Sequence, residues 1–467
     1  MSRRTWLPRA ALLLVVVSLV ACTDRPTDLA SAPITAPVSA SRSAANESTL
    51  PQLVRALAAA RGVVPLERPP EVRRTLVRLG QALTFDRILS GNRDISCSTC
   101  HLPDFATGDG RSLSVGQGAK GFGPLRTHPD GTFIPRNAPP LFNLAAMRHL
   151  FWDGRVAAGT QGAIISPAGA QLTPKMTKVF EFGPISALGM FPVTNRAEMR
   201  SGTGNELAAI PDSNMTGIWS AVMRRLGDIP EYRAMFEAAY PGTRFTDMTF
   251  AHASNAIAGF FVSEYSFTDS PWDRFLAGRD EALSMRQLEG AQTFLTLKCS
   301  ICHTGATFSD EDFHNVAVAQ FGPGQGNGPG HRDDFGRMNV TGLEDDRYRF
   351  RTTPLRNVEL TGPYGHDGAI SSLRGFVEHY SESDLKLLAF DPMTLDANLR
   401  SSFLNNATAI LQQRDTLLAG VVLTTELVDK LMDYMTALTD VAARDLRKAV
   451  PAHVPSKLPI DRPIDRR

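Results

Sequence analysis

Two pentapeptides decide how this chain folds: Cys97-Ser98-Thr99-Cys100-His101 and Cys299-Ser300-Ile301-Cys302-His303. Each places two thiols and an imidazole within five consecutive residues. Covalent attachment of a c-type haem needs those groups at that spacing, because the thiols add to the two porphyrin vinyl groups and the adjacent histidine ligates the iron. A zinc site or a dithiol redox pair is the competing reading of a lone Cys-x-x-Cys. Here both copies carry the histidine, and the only other cysteine of the chain is Cys22, so no zinc ligand set can be completed by cysteine. The pattern predicts two covalent haems. Cys97, Cys100, Cys299 and Cys302 are the attachment points and His101 and His303 the proximal ligands, with no cysteine left for a structural disulfide.

The motifs stand about 200 residues apart in a chain of 467, room for one helical domain around each. Apolar residues recur at helical spacing where such domains need them: Val72, Leu76, Leu79 and Leu83 before the first motif, and Leu427, Leu431, Met435 and Leu438 near the C-terminus. A Gly-to-Phe stretch precedes each motif, Gly80 to Phe85 and Gly290 to Phe294, as a diverged duplication would leave it. Period-two strand patterns are scarce. The expected fold is mainly α, two cytochrome c-like haem domains with long loops and little strand. Residues 51–280 would hold the N-terminal haem, 281–450 the C-terminal haem, and 451–467 a tail. The Gly- and Pro-rich stretch Phe321 to Gly336 reads as a connection, since no lysine-containing phosphate loop accompanies it.

Composition fits an ordinary soluble globular protein of two or more domains. Hydrophobic residues make up 43% and charged residues 21%, and 49 basic against 48 acidic side chains give a net charge of +1, which speaks against a broad nucleic-acid-binding surface. Residues 1–21 read as a signal peptide, with Arg3, Arg4 and Arg9 ahead of an apolar run, Ala10 to Val20, too short to span a bilayer. Its end, Leu19-Val20-Ala21-Cys22, resembles a bacterial lipobox, with Cys22 as the lipidated residue; a plain secretory signal is the alternative. From 22 to 50 the chain is rich in Ser, Thr, Ala and Pro and reads as a flexible linker.

Several further motifs occur in one order: Leu79-Gly80 through Phe85-Asp86 with Leu89-Ser90, Arg136-Asn137-Ala138-Pro139, Phe151-Trp152-Asp153-Gly154-Arg155, Leu355-Arg356-Asn357-Val358, and Leu360 through Gly368. From about Leu79 to Leu438 the chain resembles the bacterial di-haem cytochrome c peroxidases and their MauG-type relatives. The resemblance implies peroxide chemistry at the N-terminal haem and electron relay at the C-terminal haem, with Trp152 carrying charge between them. It also implies a glutamine and a glutamate over the reacting haem, which move a proton from the near to the far peroxide oxygen. Gln161 resembles that glutamine. Glu198, in Pro192-Val193-Thr194-Asn195-Arg196-Ala197-Glu198-Met199, resembles the glutamate. One calcium ion is implied as well, held by the Asn137 side chain and the carbonyls of Thr361 and Pro363, oxygen donors that suit a hard cation.

Two departures from the family pattern bear on mechanism. Many of these peroxidases cap the first iron with a histidine in the loop after the first motif, where this chain has Gln117 in Leu113-Ser114-Val115-Gly116-Gln117-Gly118. Glutamine ligates iron poorly, so the first haem is expected to be five-coordinate or water-bound without reductive activation. The sixth ligand of the second haem, a methionine in many members, falls on Tyr380, as in MauG-type proteins. A phenolate stabilises ferric iron and lowers the potential relative to a thioether. His379 is the runner-up, and Met393 or Met435 a more distant third.

The resemblance thus implies an oxidoreductase that reduces hydrogen peroxide to water with electrons from a small periplasmic donor, a c-type cytochrome or a copper protein. The alternatives are a MauG-like enzyme that oxidises a partner protein and a non-catalytic di-haem carrier. A homodimer is open. His128, His149, His252, His314, His331 and His453 show no ligand spacing and read as surface or core residues, and His366 lies in the family motif without an assigned step.

Overall fold

The structure, a computed structural model, describes residues 49–128 and 133–462. The leader, Cys22 and nearly all of the linker lie outside the described residues. Thr49 opens the first helix, α1 (Leu50–Ala60), through a capping box with Gln52, and Pro51 sits in the first turn, where a missing N–H has no cost. In α2 (Arg74–Phe85), Leu76, Leu79 and Leu83 form a fully buried stripe, as their spacing predicts. The helix Thr425–Ala437 buries Leu431 and Met435 in the same way.

Helix pairs build two hydrophobic cores. In the first, α2 packs on the helix Phe250–Glu264, which is buried almost all round and forms the centre of that half. In the second, the helix Met285–Thr296 packs on Thr425–Ala437. Both crossings depend on a glycine. A Cβ at Gly80 would lie 1.9 Å from the Ala256 carbonyl oxygen, and one at Gly290 would lie 2.0 Å from that of Lys430. The two Gly-to-Phe stretches therefore do the same job: each lets a partner helix approach to backbone contact just ahead of a haem motif.

The linear division at residue 280 is crossed at both ends of the chain. Val54 and Ala58 of α1 belong to the second core, because the apolar face of α1 finds its partner in the helix Met285–Thr296. The C-terminal stretch returns to the first half: Val454 enters the first core, Ser456 donates to Asp86 Oδ1 at 2.6 Å, and Asp461 pairs with Arg87 and accepts from Thr99 Oγ1, each at 2.5 Å. Up to residue 462, the predicted tail is thus folded onto the first haem motif.

Strands are few and short among the described residues. β1 (His149–Leu150), β2 (Val156–Ala158) and β3 (Ile164–Ile165) form an antiparallel sheet, and β4 (Phe313–His314) pairs with β5 (Phe350–Arg351). They join the halves. The β1–β2 connection presents Phe151-Trp152-Asp153-Gly154-Arg155, and the Arg351 amide of β5 donates to the Trp152 carbonyl at 2.8 Å. Gly154, at φ 66°, leaves no room for a Cβ beside the Phe313 ring of β4, which would be 2.4 Å away. Among the described residues no helix is long and apolar enough to cross a membrane.

Candidate active site

Each Cys-x-x-Cys forms a single helical turn with its histidine at the end. In α3 (Cys97–Cys100), Ser96 and Thr99 make a capping box, and the His101 amide donates to the Cys97 carbonyl at 3.0 Å. In the turn Cys299–Cys302, the His303 amide donates to the Cys299 carbonyl at 2.9 Å. Both rings are fixed from behind. His101 Nδ1 lies 2.8 Å from the Thr107 carbonyl, and His303 Nδ1 lies 3.0 Å from that of Phe308. A carbonyl only accepts, so Nδ1 carries the proton and the Nε2 lone pair is left for a metal. Burial lowers both imidazoles below the ordinary histidine range, keeping them neutral.

A cavity opens in front of each motif. The first, about 720 Å³, is lined by Cys97, Cys100 and His101 together with Trp152, Arg155 and Glu198. The second, about 320 Å³, is lined by Cys299, Cys302 and His303 with His314, Tyr380 and Met435. Asn137, Pro140, Trp152 and Arg351 line both. Two thiols and a ligand-ready imidazole on the wall of a large, largely apolar cavity fit a covalent haem at each site. The competing dithiol reading finds no depressed thiol at Cys97 or Cys299. Burial pushes the Cys97 thiol up to about 12 and that of Cys299 to about 11, whereas a redox dithiol needs a depressed value.

Glu198 stands on one turn of π-helix, Arg196–Arg200, opened by Asn195, whose Oδ1 accepts from the amides of Ala197 at 2.9 Å and Glu198 at 3.2 Å. Its carboxyl is half-buried. Burial raises it above the ordinary glutamate range, against the pull of Arg155 and Arg136. The Gln117 loop is bolted to this turn. Gln117 is buried and donates from Nε2 to the Met199 carbonyl, which also accepts from the Gly91 amide at 2.7 Å. A Cβ at Gly116 would lie 1.9 Å from the Ala197 carbonyl oxygen. Arg126 holds the loop from behind, donating to the carbonyls of Val115, Gly116 and Gly121. Gln117 is not on the cavity wall, and neither is Gln161, which is exposed at φ 54° between β2 and β3. The structure brings Glu198, Trp152 and the first motif together and leaves Gln161 outside.

At the second cavity the candidates for a sixth ligand separate. Tyr380 lines it, and burial raises its phenol. His379 turns away, its Nε2 donating to the Val316 carbonyl at 2.7 Å. Met393 is exposed and off the wall, whereas Met435 is on it. His314, expected from sequence to be a satisfied core or surface residue, lines this cavity between two carboxylates, Nδ1 at 2.6 Å from Asp415 and Nε2 at 3.1 Å from Asp310. Burial opposes its protonation, but Asp310, Cys302 and Asp415 together raise it above the ordinary range. Cys302, Asp310 and His314 lie close enough to suggest a metal triad. With both its nitrogens protonated, His314 has no lone pair to offer a cation, and the sulfur of Cys302 belongs to the haem reading.

Between the cavities lies a buried ion cluster that sequence reading missed. Arg136 donates to Asp153 and from Nε to Asp334, both at 2.6 Å. Burial works to raise the Asp153 carboxyl, yet Arg136 and Arg155 outweigh it and hold it at about 2. His366 stacks on Phe350 with centroids 3.7 Å apart, and burial lowers it to about 3. Trp152 Nε1 donates to the Asn137 carbonyl at 2.9 Å. Asn137 Nδ2 donates to the carbonyls of Arg111 and Ser112, leaving Oδ1 for a cation, and Asn137, Thr361 and Pro363 share the wall of the second cavity.

Residues 74–281 match the family model described as di-haem cytochrome c peroxidase. The chain is 31% identical to the cytochrome c551 peroxidase of Pseudomonas aeruginosa over 315 residues, 67% of this chain and 74% of that protein. The chain belongs to the di-haem cytochrome c peroxidase family. This is a family of oxidoreductases, and membership brings c-type haem as the cofactor. The chain is also 30% identical to the cytochrome c peroxidase of Escherichia coli over 320 residues, 68% of this chain but 54% of that protein, so it spans about half of that relative's length. MauG, the methylamine utilization protein of Methylorubrum extorquens, is 30% identical over 305 residues, 65% of this chain and 68% of that one. The fold is shared with two solved structures. A MauG-like protein associated with microbial copper homeostasis superposes at TM-score 0.56 and 22% identity, over 84% of this chain and 95% of that one. The di-haem peroxidase of Burkholderia thailandensis superposes at 0.55 and 20%, over 85% and 92%.

Proposed function

We propose that this protein is an exported di-haem peroxidase, reducing hydrogen peroxide to water at the N-terminal site with electrons that enter at the C-terminal site from a small periplasmic donor, a c-type cytochrome or a copper protein. The observation that carries the reading is a half-buried glutamate, Glu198, on the wall of the cavity that holds Cys97, Cys100 and His101. Haem, when bound, supplies the iron that takes the peroxide oxygen and the electrons that reduce it. Glu198 accepts the proton of the near peroxide oxygen and returns it to the far one, so that water leaves. Its raised carboxyl suits both directions of transfer, and the Gln117 clamp keeps the turn that carries it in place. Gln161, the other residue named for this step, lies on the exposed β2–β3 connection.

Trp152, on both cavity walls, would carry charge between the haems, and Tyr380, on the wall of the second cavity, would supply the sixth ligand there. Asn137 with the carbonyls of Thr361 and Pro363 would hold one calcium ion. Cys22 would anchor the protein by lipid to the periplasmic side of the envelope. With glutamine, a poor iron ligand, at position 117 in place of histidine, the first iron would be five-coordinate or water-bound in the oxidised protein. A histidine/histidine low-spin signal at that site in electron paramagnetic resonance overturns this assignment. Tyr380 favours a second reading, a MauG-like oxidation of a partner protein. Steady-state peroxide consumption with a reduced c-type cytochrome or copper protein decides between them: rapid turnover is expected, turnover only with a protein substrate favours the second reading, and none at all leaves a carrier.

A further inference from the structure

Two buried guanidiniums share the wall of the first cavity, and they are supported in opposite ways. Arg136 is neutralised by Asp153 and Asp334. Arg351 is 6% exposed and makes no ion pair among the described residues. Its Nε donates to the Phe151 carbonyl at 3.2 Å and its Nη1 to the Thr352 carbonyl at 3.1 Å, while Nη2 meets no acceptor among the described residues. The nearest carboxylate acting on it, Glu311, is taken by the amides of Arg148 and His149 at 2.6 and 2.8 Å. Burial lowers the Arg351 guanidinium to about 10.

Other buried arginines do not share this state. Arg111, Arg200, Arg225 and Arg356 each have a carboxylate partner. Arg126 has none, but carbonyls engage all three of its nitrogens. A buried cation without a counter-charge is costly, and an isolated buried carboxylate is equally so. Each haem brings two propionate carboxylates. The guanidinium fork matches a carboxylate in two parallel hydrogen bonds.

We propose that Arg351 is the anchor for haem propionate at the junction of the two cavities, pairing with carboxylate from the cofactor and placing one cation where both haems feel it. The inference rests on the reading of two covalent haems in these cavities. β5 fixes the position: the Arg351 amide is held by the Trp152 carbonyl, and its strand pairs with β4 through Phe313. Arg351 is a positioning residue that also tunes potential, since a cation close to iron favours the reduced state.

The test compares wild type with Arg351→Gln and Arg351→Lys, after intact-protein mass has shown two covalent haems in each. Fewer than two haems in the wild type would overturn the underlying reading rather than the role of Arg351. In Arg351→Gln the reduction equilibria of both haems should fall roughly tenfold, which for a one-electron couple is about 59 mV. The propionate-bending bands in resonance Raman spectra should shift as well. Arg351→Lys keeps the charge and should restore most of the potential without restoring the bands. Unchanged potentials overturn the proposal, and so does a potential shift with unmoved propionate bands, which would reduce Arg351 to a distant charge.

Discussion

The two cavities are alike on the histidine side and unlike on the other. Behind each iron position a single helical turn delivers two cysteines and a histidine whose Nδ1 is tied to a carbonyl a few residues on. On its remaining wall the first cavity has a carboxyl, Glu198, whereas the second has a phenol, Tyr380, and a doubly paired histidine, His314. The near side is local chain geometry and can be repeated. The remaining walls are built from distant segments, and there the two sites differ, a carboxyl in one and a phenol in the other.

Breaking the remaining wall of the first cavity should have the largest effect. Glu198→Gln keeps the shape but removes the base, and peroxide turnover should fall by roughly 10²–10⁴ while both haems stay attached and the second still accepts electrons. Stopped-flow measurement of each step checks this. Next, the matched glycines test whether the two halves are equivalent supports. Gly80→Ala and Gly290→Ala each force a methyl into a backbone carbonyl, and each should cost about 1–3 kcal/mol in denaturant unfolding, with spectral change confined to the haem of its own half.

The ion cluster between the sites responds to acid. Asp153 ionises at about 2 in the folded protein against an ordinary value near 3.9, so its contribution is present above pH 4 and is lost as pH falls toward 2. The size is about 2 kcal/mol, and Arg136→Met should remove this limb from the stability profile. The smallest shift concerns the remaining wall of the second cavity. Tyr380→Phe should alter the spectrum of the second haem alone and raise its potential, by roughly a tenfold change in the reduction equilibrium, about 59 mV.

How much of this was legible from sequence follows from distance along the chain. The haem motifs, the α2 and C-terminal helical stripes and the paired glycines were readable because each signal is contained in a few residues. Tyr380 and Glu198 could be named only through family resemblance, and Gln161, named the same way, is placed by its hairpin outside the cavity. His314 showed no ligand spacing, and the carboxylates that satisfy it could not be named in advance, since Asp415 is far along the chain. Arg136 was quoted as part of a motif and Arg351 was passed over, since a lone arginine gives no hint of which carboxylates will reach it.

By itself, then, the sequence determined the two Cys-x-x-Cys-His motifs that suit c-type haem, in a mainly helical frame. Thiol and imidazole spacing is a covalent matter and survives any fold. What lines the cavities beside those motifs was decided only by the tertiary structure: Glu198 bolted in place by Gln117, Tyr380 turned inward while its neighbour His379 turns out, and Arg351 buried without a counter-charge. Those outcomes depend on which distant backbone groups satisfy each side chain, a balance of burial and hydrogen bonding that exists only once the chain is folded.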